Sequence, residues 1–173
     1  LELRRGEPKA VEEALRVIAD AKEEKLLRLQ YTEILGEAPN TKAVPVLLGV
    51  VKNEPGSDLK RAALGALKPY DDTRVAEETI SIFPELPSDL RQVAGTLLAG
   101  RTIFAAAFVT AVEAGKISVA LVSPEVVSLL RTHTEPTLAG KVNELFSGAE
   151  TDSAKLEMEI TRLSRLVEAK TGS

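Results

Sequence analysis

The sequence predicts an all-α fold: a right-handed α-α superhelix built from antiparallel helical hairpins stacked one on the next. Three observations predict it. Apolar residues recur at helical spacing between closely placed Pro and Gly residues. No stretch of several residues alternates cleanly with period two, so no sheet is expected. One apolar motif returns a little over every thirty residues.

Taken in order, Pro8 sits where a first helical turn tolerates it, and Val11, Ala14, Leu15 and Ile18 then share one face. A second helix places Leu27, Tyr31, Ile34 and Leu35 inward and ends near Gly36. Asn40 or Thr41 is positioned to cap a third, with Pro45 in its first turn and Val44, Leu47, Leu48 and Val51 recurring. Ser57 or Asp58 is the expected cap of a fourth, which stops at Lys68-Pro69. Helices are further expected over about 72–83, 88–98, 102–114, 124–130 and 136–146. A last amphipathic helix, Ser153 to Ala169, carries Leu156, Ile160, Leu163 and Val167 on one stripe. Ile117 to Val122 is the only weak strand candidate and reads as a loop with a short helical turn.

The repeat aligns Leu27, Tyr31 and Leu35 with Leu59, Ala63 and Leu67, and then with Leu90, Ala94 and Leu98, at offsets of 32 and 31 residues. Leu138, Val142 and Phe146 continue the register after a gap of 48. An acidic residue precedes each motif (Glu24, Asp58, Asp89, Glu135), and Arg or Lys follows in the first three. A hairpin with one apolar face too large to hide alone buries it by stacking on its neighbours. Ala62, Ala63, Ala66 and Ala94 allow those neighbours to come close. An irregular bundle without true repeats is the alternative.

Composition agrees. The 173 residues suit one domain, 1–173, and aromatics are only 3%, so the core must be Leu, Val, Ile and Ala. The net charge is -4, with Lys and Arg scattered rather than striped, which argues against nucleic acid as a partner. Cysteine is absent, removing disulfides, thiolate metal sites and Cys nucleophiles from this chain. Apolar runs such as Ile103 to Val109 are far short of the ~20 residues that span a bilayer, so no membrane insertion is expected. The chain starts on Leu1 without a leader-like pattern and reads as a fragment excised from something longer.

No residue is assigned a catalytic, cofactor-binding or metal-ligating role. His133 is the only histidine and has no second His or Cys to complete a metal site; it reads as a polar loop residue. Glu12-Glu13 and Glu23-Glu24 read as solvated helix faces, and Asp71-Asp72 as a helix start. Gly115-Lys116 shares only a dipeptide with phosphate-binding loops and reads as a helix end with a left-handed Gly. The apolar stretch 100–123, holding Phe104, Phe108, Val109 and Val112, departs from the repeat and is expected to tuck against the core.

Two stretches carry a resemblance. One is Asp58-Leu-Lys-Arg-Ala-Ala-Leu-Gly-Ala-Leu-Lys-Pro-Tyr-Asp-Asp72. The other comprises Leu97 to Arg101, Ala111 to Ile117, Leu129 to Pro136 and Lys141 to Phe146. They resemble the HEAT-like (armadillo-like) region of large exported proteins of planctomycete and verrucomicrobial type. In that family a propeller similar to membrane-bound sugar dehydrogenases precedes the repeats, and a c-type haem domain bearing C-x-x-C-H follows. The match is best over 55–147, with 1–54 as N-terminal hairpins and 151–171 as the terminal helix. No haem-attachment motif occurs in this chain, so no cofactor is expected in it. The resemblance implies a non-catalytic scaffold or protein-interaction module, its partners being neighbouring domains or another protein. It also implies a parent that works outside the cytoplasm. A HEAT-like domain binding a ligand or nucleic acid in a pocket on its concave face is the alternative.

Overall fold

The computed structural model describes residues 2–147. Within them the chain is all-α, with no strand. The helices are α1 (Pro8–Ala19), α2 (Lys25–Glu37), α3 (Ala43–Asn53), α4 (Ser57–Ala66), α5 (Thr73–Ile82), α6 (Ser88–Ala99), α7 (Thr102–Glu113) and α8 (Pro124–Leu130). A further helix, α9, covers 136–147. Short 3-10 turns occupy Leu3–Arg5, Phe83–Glu85 and Val119–Leu121. The expected terminal helix, Ser153 to Ala169, lies outside the described residues.

The punctuation works as the residues dictate. Pro8 and Pro124 open α1 and α8, where a missing amide hydrogen costs nothing. Asp72 caps α5 by accepting from the Arg74 amide at 3.0 Å. Ser57 and Asp58 do not cap α4; Gly56 precedes it without a side-chain cap, and Asp58 reaches out to Lys25 instead. Gly115, at φ +72°, closes α7. Its amide donates to the Val112 carbonyl and the Lys116 amide to that of Ala111, the paired bonds of a left-handed glycine cap.

Contacts follow chain order in two rows. One row runs α1, α3, α5, α7 and the other α2, α4, α6, α8, each helix touching the next in its row and the rows touching along their length. Residues from both rows fill one continuous core of Leu, Val, Ile and Ala, with Phe83, Phe104, Phe108 and Phe146 fully buried. Phe83 and Phe108 meet with tilted rings, centroids 5.1 Å apart. The apolar stretch after α7 tucks inward through Ile117 and Val122, with the 3-10 turn between them.

Two parts of the sequence register are corrected. In α2 the buried stripe is Arg28, Thr32 and Leu35, while Leu27, Tyr31 and Ile34 are only half-buried. The α2–α4 interface sets this. A Cβ on Gly36 would lie 2.9 Å from the Ala66 Cα, so α2 turns this glycine, not a leucine, toward α4. The true alignment is thus Arg28, Leu59, Leu90 and Thr32, Ala63, Ala94, at a constant offset of 31 residues.

The fourth member of the row is α8, contributing Val126 and Leu130 with Val122 buried just ahead of it, rather than Leu138, Val142 and Phe146. Here a Cβ on Gly95 would meet Val126 Cγ2 at 2.6 Å, a second close approach two helix pairs further along the row. Leu138, Val142 and Phe146 are buried, but they belong to α9, which is tied to α7 by Lys141 and Glu113 at 2.6 Å.

Two substitutions test this packing. Gly36→Ala is expected to lower stability by about 1–2 kcal/mol, because overpacking against a backbone atom outweighs the gain in helix propensity. Thr79→Val is expected to raise it by about 1 kcal/mol. The Thr79 hydroxyl is fully buried in α5 and has no hydrogen-bond partner among the described residues. Urea unfolding midpoints of the two variants, moving in opposite directions, are the check.

Candidate functional site

The turns that close the second row carry a recurring hydrogen bond. In each case a polar side chain three residues past a buried leucine reaches back to the end of the preceding helix in the row. Tyr70, after Leu67, donates its hydroxyl to the Leu35 carbonyl at 3.0 Å and accepts from the Asn40 amide at 3.1 Å. Arg101, after Leu98, donates to the Lys68 carbonyl through Nε and Nη2 at 3.3 and 3.1 Å, and pairs with Asp71. His133, after Leu130, meets the Ala99 carbonyl through Nε2 at 2.7 Å and the Thr102 hydroxyl through Nδ1 at 3.2 Å. The sequence separations are 35, 33 and 34. A carbonyl only accepts, so Nε2 of His133 carries a proton and donates to Ala99. The Leu35 and Ala99 carbonyls are ones that a helix end leaves without an intrahelical partner, and Lys68 lies in the turn just after α4.

The only histidine is therefore a clasp between units. The other singled-out residues are also in structural use. Glu13 pairs with Arg16, which also reaches Glu23, and Glu12 faces Lys42 at 3.7 Å. Asp72 caps and Asp71 holds Arg101. The acids ahead of the repeated motif bridge units: Asp58 to Lys25 at 2.6 Å, and Asp89 to Arg61. Exposed pairs of this kind are screened by solvent and contribute little, so they tune the register more than they hold it.

Two grooves remain. Along the first row, a groove of about 450 Å³ between α5 and α7 is lined by Ile80, Pro84, Ala107 and Ala111, with Glu77 and Lys116 as its charged groups. Nearer the N-terminus, a groove of about 360 Å³ opens over Arg28 and Glu54, walled by Pro45, Val46, Val50 and Pro55. Arg28 is 6% exposed. Its Nε and Nη2 donate to the Ile18 carbonyl at 3.0 and 2.9 Å, and Nη2 meets Glu54 Oε2 at 3.0 Å. The Thr32 hydroxyl turns back to the Arg28 carbonyl at 2.8 Å. Sequence reasoning missed this pair, having turned Leu27 inward. The available signal was the absence of a leucine at 28, where the constant offset asks for one.

Among the described residues no group of three or more His, Cys, Asp or Glu is placed to hold a metal ion, and no helix is long and apolar enough to cross a membrane. Compared with known proteins, the chain matches no family model, no curated protein and no solved structure.

The titrating groups set the expected pH response. Arg16 holds the Glu13 carboxyl below its ordinary value, Lys25 does so for Asp58, and Arg74 for Asp72. Backbone amides at helix starts do the same for Glu125 and Glu135. Depressed carboxyls stabilise the fold above the ordinary carboxylate range, and this contribution is lost as pH falls through their lowered values. Stability is therefore expected to drop on acidification below about pH 4. Tyr70 runs the other way. Burial pushes its phenol up, against a smaller opposing effect of the Asn40 amide, so its contribution is intact below about pH 10 and lost above. Tyr70→Phe is expected to cost about 1 kcal/mol at neutral pH and to flatten the alkaline part of the stability curve. Unfolding free energies measured from pH 3 to 11 check both arms.

Proposed function

We propose that the chain is a non-catalytic HEAT-like scaffold, a right-handed α-α superhelix of antiparallel hairpins that spaces neighbouring domains or docks a protein partner. The observation that carries this reading is the recurrence of Tyr70, Arg101 and His133 as clasps to the preceding unit. Polar side chains that a catalytic site would need are committed to holding units in register. The concave face in this reading is the row containing α3, α5 and α7, and the groove between α5 and α7 lies on it.

The sequence resemblance supplies the context of the proposal: a parent of exported type in which the repeats sit between a dehydrogenase-like propeller and a c-type haem domain, fixing their distance. Neighbouring domains are then the natural partners, and this segment has no cofactor of its own.

A pocket for a small ligand or nucleic acid on the same face is the rival reading. The balanced Glu77 and Lys116 in the α5–α7 groove fit a phosphate backbone poorly.

The test is direct. Purified protein is expected to unfold in one cooperative urea transition and to show no turnover of sugars or alcohols with an artificial electron acceptor. Robust turnover that survives repurification would refute the scaffold reading.

A further inference from the structure

The two ends of the stack are not alike. At the first, the 3-10 turn Leu3–Arg5 lies across α1 and α2, with Leu3 buried and Arg4 paired with Glu37 at 3.0 Å. At the other, α9 follows α7 in the first row, while the second row reaches only α8 among the described residues. The one substantial neighbour of α8 among α1 to α8 is α6. A stack of hairpins needs a last member with a polar outer side, because every earlier member presents a flank built to receive another.

The seat for a further helix can be read from the members before it. Two positions, counted from the inner leucine of a second-row helix, face the next unit. One follows that leucine directly, as Gly36 follows Leu35, and one precedes it by three, as Gly95 precedes Leu98. In α8 the inner leucine is Leu130, so these positions are Arg131 and Val127. The residues that meet the two glycines are Ala66, one before Leu67, and Val126, four before Leu130. An incoming helix therefore needs an apolar residue four before its own inner residue, to meet Val127. One before it, the helix needs a complement to Arg131.

We propose that residues 153–169 of this same chain are the occupant of that seat, a fifth second-row helix that closes the stack with Ile160 as its inner residue. Leu156 then stands against Val127, and Glu159 against Arg131, an apolar contact and an ion pair in one register. The step from Leu130 to Ile160 is 30 residues, beside steps of 32, 31 and 32 along Leu35, Leu67, Leu98 and Leu130. Chain length agrees: residues 148–152 lead from α9 to this segment, as 20–24 lead from α1 to α2 and 83–87 from α5 to α6. A link this short holds the segment near its own α8 at an effective concentration on the order of millimolar, ahead of a second copy. The far side of the segment separates a cap from one more repeat. Its positions for seating another unit are Glu157 and Thr161, with Ser164 and Glu168 on the same side, and a polar outer side ends a stack. The inference rests on the stacked-hairpin reading above, and it directs a partner to the flanks of the rows, away from the end at α8.

The chain has no cysteine, so a pair of introduced cysteines reports proximity without interference. In the whole 173-residue chain, Arg131→Cys with Glu159→Cys is expected to form an intramolecular disulfide under mild oxidation. Arg131→Cys with Glu157→Cys, which sits on the outer side, is expected to close at least about tenfold more slowly, because its Cβ vectors point apart. Equal rates for the two pairs, no closure of the first, or a disulfide formed between two chains would overturn the proposal.

Hydrogen exchange gives a readout that needs no cross-link. Leu156→Asp combined with Ile160→Asp puts charge on the inward stripe. It is expected to speed amide exchange in α8 and α9 by at least about tenfold while α1 to α4 keep their protection, since each unit is held by its neighbours. Glu157→Gln combined with Thr161→Gln, on the outer side, is expected to leave exchange in α8 and α9 as it was. Unchanged exchange in the first variant, or equal acceleration in both, would sink the assignment of the segment to this seat. The scaffold reading stands through all of these outcomes and falls only on turnover.

Discussion

The stack depends on two places where helices approach too closely for a side chain to stand between them. Gly36 lies against the backbone of Ala66, and Gly95 against the side chain of Val126. Once α2 rests on α4 through a glycine, α2 can neither slide nor rotate by a residue without driving a side chain into its neighbour. That constraint turns Arg28, Thr32 and Leu35 inward, and it brings the end of each helix within reach of the turn that follows its neighbour in the row. The clasps of Tyr70, Arg101 and His133 follow from the register that close packing sets.

Those clasps show how a repeat can conserve a task while varying the chemistry. A phenol, a guanidinium and an imidazole each donate to one main-chain carbonyl, and each is positioned by the leucine three residues before it. The requirement is a donor of sufficient reach, not a particular side chain. The inner positions behave differently. There Leu59 and Leu90 satisfy a demand for volume, and Arg28 satisfies it with its aliphatic stem while bringing a charge that must then be matched by Ile18 and Glu54.

Helix placement was largely legible, because Pro, Gly and apolar spacing act locally. Pro8 and Pro124 open helices, Gly115 closes one with a positive φ, and Ile117 to Val122 forms a turn rather than a strand. The interhelical register was harder to read. Leu27, Tyr31 and Leu35 make a convincing apolar stripe, yet a hydropathy pattern cannot weigh a glycine needed for close approach against a leucine available for burial. The same blindness placed the fourth unit at Leu138 rather than Val122, since α8 has only seven residues and little periodicity to display. The Arg28–Glu54 groove escaped notice because it joins residues from separate units, and charge in a sequence reads by default as surface.

Among α1 to α8, every substantial helix contact links helices no more than two apart in the chain. Stability in such an arrangement is close to a sum of local terms and neighbour interfaces. A departure in one unit is then paid for in that unit and its immediate neighbours. This is why a buried charge pair in the first unit is compatible with hydrocarbon at the same position in the second and third. A fold whose core was shared by distant segments would spread the cost of desolvating Arg28 and Glu54 through the whole chain. Here the cost stays beside Ile18, Thr32 and the turn before α4.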